Sequence, residues 1–89
     1  MSQLADCKNV GISMLLISAE CRNKSWENKE ISLDLVLETI EIFLDYKNIV
    51  DVLEEVKAYY LSNTNLDIDT RTRMVEYLDN KLGFYSLIN

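Results

Sequence analysis

Four carboxylates recur at helical spacing in the stretch ISLDLVLETIEIFLDY, residues 31–46. On an α-helix, Asp34, Glu38, Glu41 and Asp45 fall within about 60° of one another and form an acidic seam. Residues 30–55 contain eight acids and a single base, Lys47. Solvated helix faces usually mix signs at this spacing, because like charges four residues apart repel. The seam therefore indicates either a solvated face or a surface that binds a basic partner.

The chain has little of the chemistry that enzymes and metal proteins use. It contains no histidine, the commonest general base and metal ligand near neutral pH. Cys7 and Cys21 match no zinc motif, and on one helix they would be about 21 Å apart, too far for a disulfide. The two glycines, Gly11 and Gly83, cannot form a glycine-rich phosphate loop. We expect no metal, no cofactor and no enzymatic activity.

Arginines open the last predicted helix, in Thr70-Arg71-Thr72-Arg73. Cations at a helix N-terminus oppose the helix dipole, so Arg71 and Arg73 should pair with nearby acids. The alternative is an anion site in which these arginines and Lys24 hold a phosphate or nucleotide.

Trp26, the only tryptophan, lies in the polar stretch RNKSWENKE, residues 22–30. Either its ring closes one end of the core, or it is an exposed anchor for a partner protein.

Composition predicts an all-α fold in a single helical domain, residues 1–89. The chain has no proline and only two glycines, whereas a sheet protein of this size needs more turn residues. The net charge of −6 disfavours nucleic acid and anionic membranes. No apolar run approaches the ~20 residues of a membrane span, so we expect a cytoplasmic protein.

Apolar periodicity predicts a small three- or four-helix bundle with helices at about 3–22, 32–47, 49–62 and 69–82. Ser32 should be the N-cap of the second helix, with Ile31 and Val36 as a hydrophobic staple. Asp67 or Asp69 should cap the last helix, and Gly83 should end it.

The connection between the second and third helices is ambiguous. No proline or glycine interrupts residues 32–62, which is compatible with one long helix. However, such a helix would span about 45 Å, and its apolar face turns by roughly 160° along its length. We favour a break near Lys47-Asn48, because this length is great for so small a monomer. A continuous helix would instead require a dimer.

The second helix carries a second apolar face, and a chain of 89 residues has few other segments that could cover it. Its members are Leu35, Ile42 and Tyr46, and Tyr59 and Tyr60 are further interface candidates. These residues predict a homodimer.

The leading hypothesis is a small acidic module that binds a basic protein surface and thereby inhibits, neutralises or regulates its partner, as an inhibitor, immunity-type or antitoxin-like protein does. Its predicted contact residues are Trp26 and the acidic seam. One alternative is a homo-oligomer that sequesters a small anionic ligand such as a nucleotide. The other is a structural or chaperone-like helical partner.

Overall fold

The computed structural model describes residues 3–20 and 25–88, and within these ranges the chain forms helices and no strand. The four helices are α1 (Gln3–Ala19), α2 (Trp26–Ile40), α3 (Tyr46–Ser62) and α4 (Ile68–Ile88). They form a bundle of 34 × 25 × 22 Å. The predicted all-α bundle is confirmed. The predictions for Cys21 and Lys24 concern residues outside the described ranges.

The helices alternate in direction along the chain. α3 and α4 pack antiparallel as a hairpin, with Lys57 and Asp79 paired between them at 2.6 Å. α2 and α4 run parallel, because Arg73 lies over Trp26 near the start of both helices and Tyr85 contacts Glu41 near the end of both. This parallel arrangement places the acidic seam of α2 beside the C-terminal half of α4.

The core is assembled from residues that repeat every three or four positions, the spacing that aligns side chains on one helix face. α1 and α3 approach closely at Gly11, where an added Cβ would lie 3.4 Å from the Ile40 side chain and 3.7 Å from Val52. The buried side chains are Leu15, Ala19, Leu33, Leu37, Ile40, Leu44, Ile49, Val52, Leu53, Val56, Tyr60, Met74, Tyr77, Leu78 and Tyr85.

α2 begins six residues earlier than predicted. Ser25 is its N-cap, in extended conformation, and the Ser25 hydroxyl accepts a hydrogen bond of 3.4 Å from the Asn28 N–H. The prediction of Ser32 as the cap is therefore wrong, and Ile31 lies exposed within the helix instead of closing a staple. Ser25 offers the same capping chemistry ahead of residues that continue the helix without interruption.

The predicted break between the second and third helices is confirmed, although it lies at residues 41–45, a few residues before Lys47-Asn48. Asp45 ends the connection as the N-cap of α3, and its carboxylate accepts hydrogen bonds from the Asn48 N–H at 2.9 Å and the Asn48 side-chain amide at 2.7 Å. Because an aspartate cap starts a new helix, the turn needs neither proline nor glycine.

α4 extends through Gly83 to Ile88, so the prediction that Gly83 ends it is wrong. Gly83 does not adopt the positive φ of a helix-ending glycine. Tyr85 is buried against the core two residues later, and this packing outweighs the weak helix propensity of glycine. At the other end, Asp67 caps the helix by accepting a hydrogen bond of 3.1 Å from the Thr70 N–H.

Candidate protein-binding site

An open groove of about 240 Å³ lies between α2 and the C-terminal half of α4. It contains three of the four residues of the acidic seam, Asp34, Glu38 and Glu41. We call it the α2–α4 groove, and its remaining lining residues are Leu37, Lys81, Phe84 and Tyr85. Asp34 and Glu38 come from α2 and Glu41 is the C-cap of that helix, so the helical period places the three carboxylates on one side. The aromatic rings come from α4.

Asp34 is held by two groups of α4. Its carboxylate accepts a hydrogen bond of 2.7 Å from the Tyr77 hydroxyl and lies 3.0 Å from the Lys81 ammonium. Partial burial acts to raise the pKa of Asp34, but the hydrogen bonds from Tyr77 and Lys81 outweigh it and leave the pKa below its ordinary value. The ionised Asp34 carboxylate thus links α2 to α4.

Glu41 is engaged by two tyrosines. The Tyr85 hydroxyl donates to its carboxylate at 3.3 Å, and the Tyr46 ring packs beside Tyr85. The Tyr46 and Tyr85 rings meet edge to face with centroids 5.1 Å apart. The hydrogen bond to Glu41 raises the pKa of Tyr46, whereas burial, followed by the Glu41 charge, raises that of Tyr85. The hydrogen bond from Tyr85 to Glu41 therefore joins the C-terminal half of α4 to the end of α2.

Glu38 lines the same groove as Lys81, but the Lys81 ion pair is with Asp34. Glu38 is exposed, and among the described residues it forms no hydrogen bond or ion pair. Phe84, also a lining residue of the groove, is 54% exposed. A carboxylate without an ion pair and an exposed aromatic ring in one groove match a partner side chain that combines positive charge with apolar surface, such as arginine.

Asp45 is not part of the groove. Sequence periodicity places it on the same face as Glu41 only if the helix continues, and α2 ends at Ile40. Its carboxylate is occupied at the N-terminus of α3 instead, where the hydrogen bonds from Asn48 lower its pKa. The structure therefore reduces the seam to three residues.

Trp26 lies at the opposite end of the α2–α4 pair. It is half-buried and packs against the core. The Lys29 ammonium lies 4.8 Å from the ring centroid and the Arg73 guanidinium 5.7 Å from it. This environment matches the core-closing alternative, since cations and core atoms already cover much of the ring. A role in partner binding stays a prediction.

The predicted self-interface residues separate into two groups. Leu35 and Ile42 are 57% and 83% exposed, as an interface requires. Tyr46 packs on Tyr85, and Tyr59 contacts Tyr60 edge to face at 5.2 Å. Tyr60 is only 2% exposed, and burial raises its pKa to about 12. Tyr60 belongs to the core of the chain and presents no surface to a second copy.

The arginines at the start of α4 are already used within the chain. The Arg71 guanidinium donates to the carbonyl oxygens of Tyr60 at 3.0 Å and Leu61 at 2.9 Å, at the C-terminus of α3 where the helix dipole favours a cation. Arg73 pairs with Asp69 at 3.2 Å. The two guanidinium groups therefore face different partners and do not converge on one anion position.

The α4 half of the groove was missed by sequence reasoning. Lys81, Phe84 and Tyr85 line it, and Tyr77 holds Asp34 from the same helix. Two of the lining residues follow Gly83, where the helix was predicted to end. The apolar composition of FYSLIN, residues 84–89, was the available signal that this segment packs on the bundle.

The chain matches no protein-family model, no curated protein and no solved structure. Among the described residues, no helix has the length and apolar character to cross a membrane. Within the same ranges, no group of three or more cysteine, aspartate or glutamate side chains is placed to hold a metal ion.

Proposed function

We propose that this protein is a non-enzymatic binding module that inhibits, neutralises or otherwise regulates a partner protein by binding a basic surface of it in the α2–α4 groove. One observation carries the proposal: Glu38, which forms no ion pair among the described residues, lines the same groove as the exposed ring of Phe84. Aromatic side chains are enriched in the cores of protein–protein interfaces, and an exposed carboxylate favours the approach of a basic partner.

Internal ion pairs leave an excess of negative charge on this side of the molecule. The two bases of α4 that face α2, Arg73 and Lys81, are paired with Asp69 and Asp34 respectively. Glu38 remains without a counter-charge among the described residues. A basic partner would supply the missing charge and would be attracted over a longer range by the net charge of −6.

Self-association is the second candidate, because Leu35 and Ile42 are exposed on α2. In a homodimer these side chains would be covered by a second copy. The nucleotide-sequestering alternative has less support, because both arginines already form hydrogen bonds within the chain. Arg71 donates to the Tyr60 and Leu61 carbonyl oxygens, and Arg73 donates to the Asp69 carboxylate. We propose no ligand for them.

Site-specific photo-crosslinking tests the proposal. A photoreactive phenylalanine analogue at position 84 should form a discrete adduct with a protein in a lysate of the source organism. The same analogue at position 17 is the matched control, because Ile17 is also exposed but lies on α1. The adduct should decrease as salt rises from about 50 to about 300 mM, because screening weakens charge attraction.

Charge reversal supplies the second arm of the test. Glu38→Lys should abolish the adduct, whereas Glu54→Lys, the same charge change at an exposed site in the groove between α1 and α3, should leave it intact. Equal adduct formation at positions 84 and 17, or equal loss with both charge reversals, would show that the α2–α4 groove is not the binding site.

A further inference from the structure

The side of α1 that faces solvent carries an apolar stripe. Residues 9–19 contain neither an acid nor a base, although exposed helix faces are normally polar or charged. Within this segment Val10 and Ile17 are 51% and 72% exposed. Steps of four and three residues place Met14 between them on the same face.

This stripe faces away from α3. Lys8 lines the groove between α1 and α3 and reaches Asp51 of α3 at 2.9 Å. At 100° per residue, Val10 and Ile17 lie about 160–180° around the helix from Lys8. The stripe therefore lies on the outside of the bundle, where α3 does not cover it.

α2 extends the uncharged surface. α1 and α2 pack against each other, and Gly11 of α1 lies beside Ile40 of α2. Four uncharged residues of α2 lie about 100–160° around the helix from Asp34, on the side away from α4. They are Asn28, Ser32, Leu35 and Thr39, and Leu35 is 57% exposed. We call these four residues, together with Val10, Met14 and Ile17, the α1–α2 face.

Acidic residues border the α1–α2 face. Asp6 lies one turn before Val10, and Glu38 lies about 60° around α2 from Leu35, towards α4. The centre of the face is thus apolar or uncharged and its rim is acidic. Protein interfaces have the same organisation, with an apolar centre and a polar rim.

Charge makes this face the one that suits a second copy of the chain. Other surfaces of the described residues carry acids: Glu54 lines the groove between α1 and α3, Glu38 lines the α2–α4 groove, and Glu76 lines a groove between α3 and α4. A two-fold interface brings the same surface of each copy together, so at these places acids would meet acids. Two chains of net charge −6 repel each other least at an uncharged face.

We infer that a second copy of this chain covers the α1–α2 face, with the two α1 helices antiparallel across a two-fold axis. The steps of four and three between Val10, Met14 and Ile17 are those with which paired helices interlock along a seam. With the axis at the centre of this stripe, Ile17 of one copy lies against Val10 of the other.

The acidic rim selects the antiparallel arrangement. A parallel pair would place Asp6 beside Asp6 of the second copy. In the antiparallel pair the two Asp6 residues lie about 22 Å apart along the helices. This separation exceeds the ~8 Å over which exposed charges act at physiological salt.

The inference is independent of the partner-binding proposal, and it assigns a surface to the self-association candidate. Among the predicted self-interface residues, Leu35 belongs to the α1–α2 face. Because this face lies on the side of α2 away from α4, the dimer leaves both α2–α4 grooves open. The dimer would therefore present two copies of the proposed binding site.

Sedimentation equilibrium of the purified full chain tests the inference. The average mass should rise from 10.3 kDa towards twice that value as the concentration increases from about 1 μM to about 1 mM. Ile17→Glu should raise the dimer Kd at least about tenfold, because it places an acid on the uncharged face of both copies. Ile68→Glu is the matched control, since Ile68 is 75% exposed on α4, and it should change the Kd less than about twofold.

A charge-swapped double variant tests the antiparallel register. Val10→Lys and Ile17→Glu should each weaken the dimer. The double variant Val10→Lys/Ile17→Glu should dimerise at least about fivefold more tightly than either single variant, because each lysine then lies against a glutamate of the other copy. Seven residues separate the two positions, about 10 Å along the helix, so the new charges do not pair as neighbours within one copy. Both side chains are exposed, so the fold should tolerate these substitutions.

Photo-crosslinking separates the self-contact from the partner contact. The phenylalanine analogue at position 17 should form a covalent dimer of this chain in purified protein, and the analogue at position 84 should not. The self-adduct therefore forms without lysate, whereas the partner adduct at position 84 requires it.

Three results would overturn the inference. A monomer at every concentration would reject a second copy as the occupant. Equal weakening by Ile17→Glu and Ile68→Glu would place the dimer contact on another surface. A double variant no tighter than its single variants would reject the antiparallel pairing. All three leave the proposed function standing, since that depends on the Glu38-dependent crosslink at position 84.

Discussion

The Tyr77 hydroxyl on α4 donates a hydrogen bond of 2.7 Å to the Asp34 carboxylate on α2, across 43 positions of the chain. Lys81, one turn further along α4, reaches the same carboxylate oxygen at 3.0 Å. This pair of contacts joins the two helices that form the groove. Within the acidic seam, the Asp34 carboxylate therefore links two helices, whereas the Glu38 carboxylate has no such contact among the described residues.

Removing the Tyr77 hydroxyl should weaken the fold measurably. Hydrogen bonds to charged groups contribute about 1.5–3 kcal/mol, and the partial exposure of Asp34 reduces this, so we expect Tyr77→Phe to lower the free energy of unfolding by about 1 kcal/mol. Urea denaturation measures the loss. Tyr59→Phe is the control, since the exposed Tyr59 hydroxyl contacts only the Asn63 amide, at 3.3 Å. Equal losses in both variants would contradict the role of the Tyr77–Asp34 contact.

The lowered pKa of Asp34 predicts how its contribution depends on pH. A carboxyl group with a depressed pKa in the folded state stabilises the fold above its unfolded pKa, which is near 3.8, and loses this contribution as pH falls through the folded pKa. The chain should therefore be more stable than Asp34→Asn at pH 7, and the difference should shrink below about pH 4. Urea midpoints measured at pH 7, 5 and 3 give this comparison. A difference that stays constant over this range would show that the charge of Asp34 is not responsible.

Asp45 should behave as a helix cap and not as a binding residue. Asp45→Ala removes the acceptor for the Asn48 N–H and should lower the urea midpoint of unfolding. Asp45→Asn keeps a capping side chain and should restore most of that loss. Both variants should retain the crosslink at position 84. If Asp45→Asn lost the crosslink while remaining folded, Asp45 would belong to the binding surface after all.

Gly83→Ala tests whether α4 is continuous. An added Cβ at this position meets nothing within 4 Å, and alanine is favoured over glycine within a helix by about 0.8–1 kcal/mol. We therefore expect an increase in melting temperature of about 3–8 °C for a domain of this size. Gly11→Ala is the buried comparison and should gain less, because its Cβ would touch Ile40 at 3.4 Å. A decrease in melting temperature for Gly83→Ala would indicate that the glycine ends the helix.

Features that depend on neighbouring residues could be predicted from the sequence. The absence of proline and the three- and four-residue apolar spacing predict an all-α bundle, because both reflect the geometry of a single helix. The same period places Asp34, Glu38 and Glu41 on one side of α2. Asp67 as the cap of the last helix follows from a hydrogen bond that spans only three residues.

Local patterns were less reliable in locating the ends of helices. Ser25 and Ser32 both offer a capping hydroxyl, and the helix uses the earlier one. Glycine commonly ends helices, yet α4 continues past Gly83 because the buried Tyr85 side chain packs on the core. The spacing of residues along the chain does not show how strongly Tyr85 packs on the core.

Only the tertiary structure determined which carboxylate is available. Asp34 is engaged because α2 and α4 run parallel and bring Tyr77 and Lys81 beside it, whereas Glu38, one turn away, forms no ion pair among the described residues. Arg71 is similarly occupied by the carbonyl groups at the end of α3. Contacts of this kind join residues that are distant in the chain, and they depend on helix directions and on the angles set by the connections. The spacing of apolar residues along the chain specifies neither the helix directions nor these angles. The sequence therefore determined the faces of the helices, and the packing determined which residues meet across them.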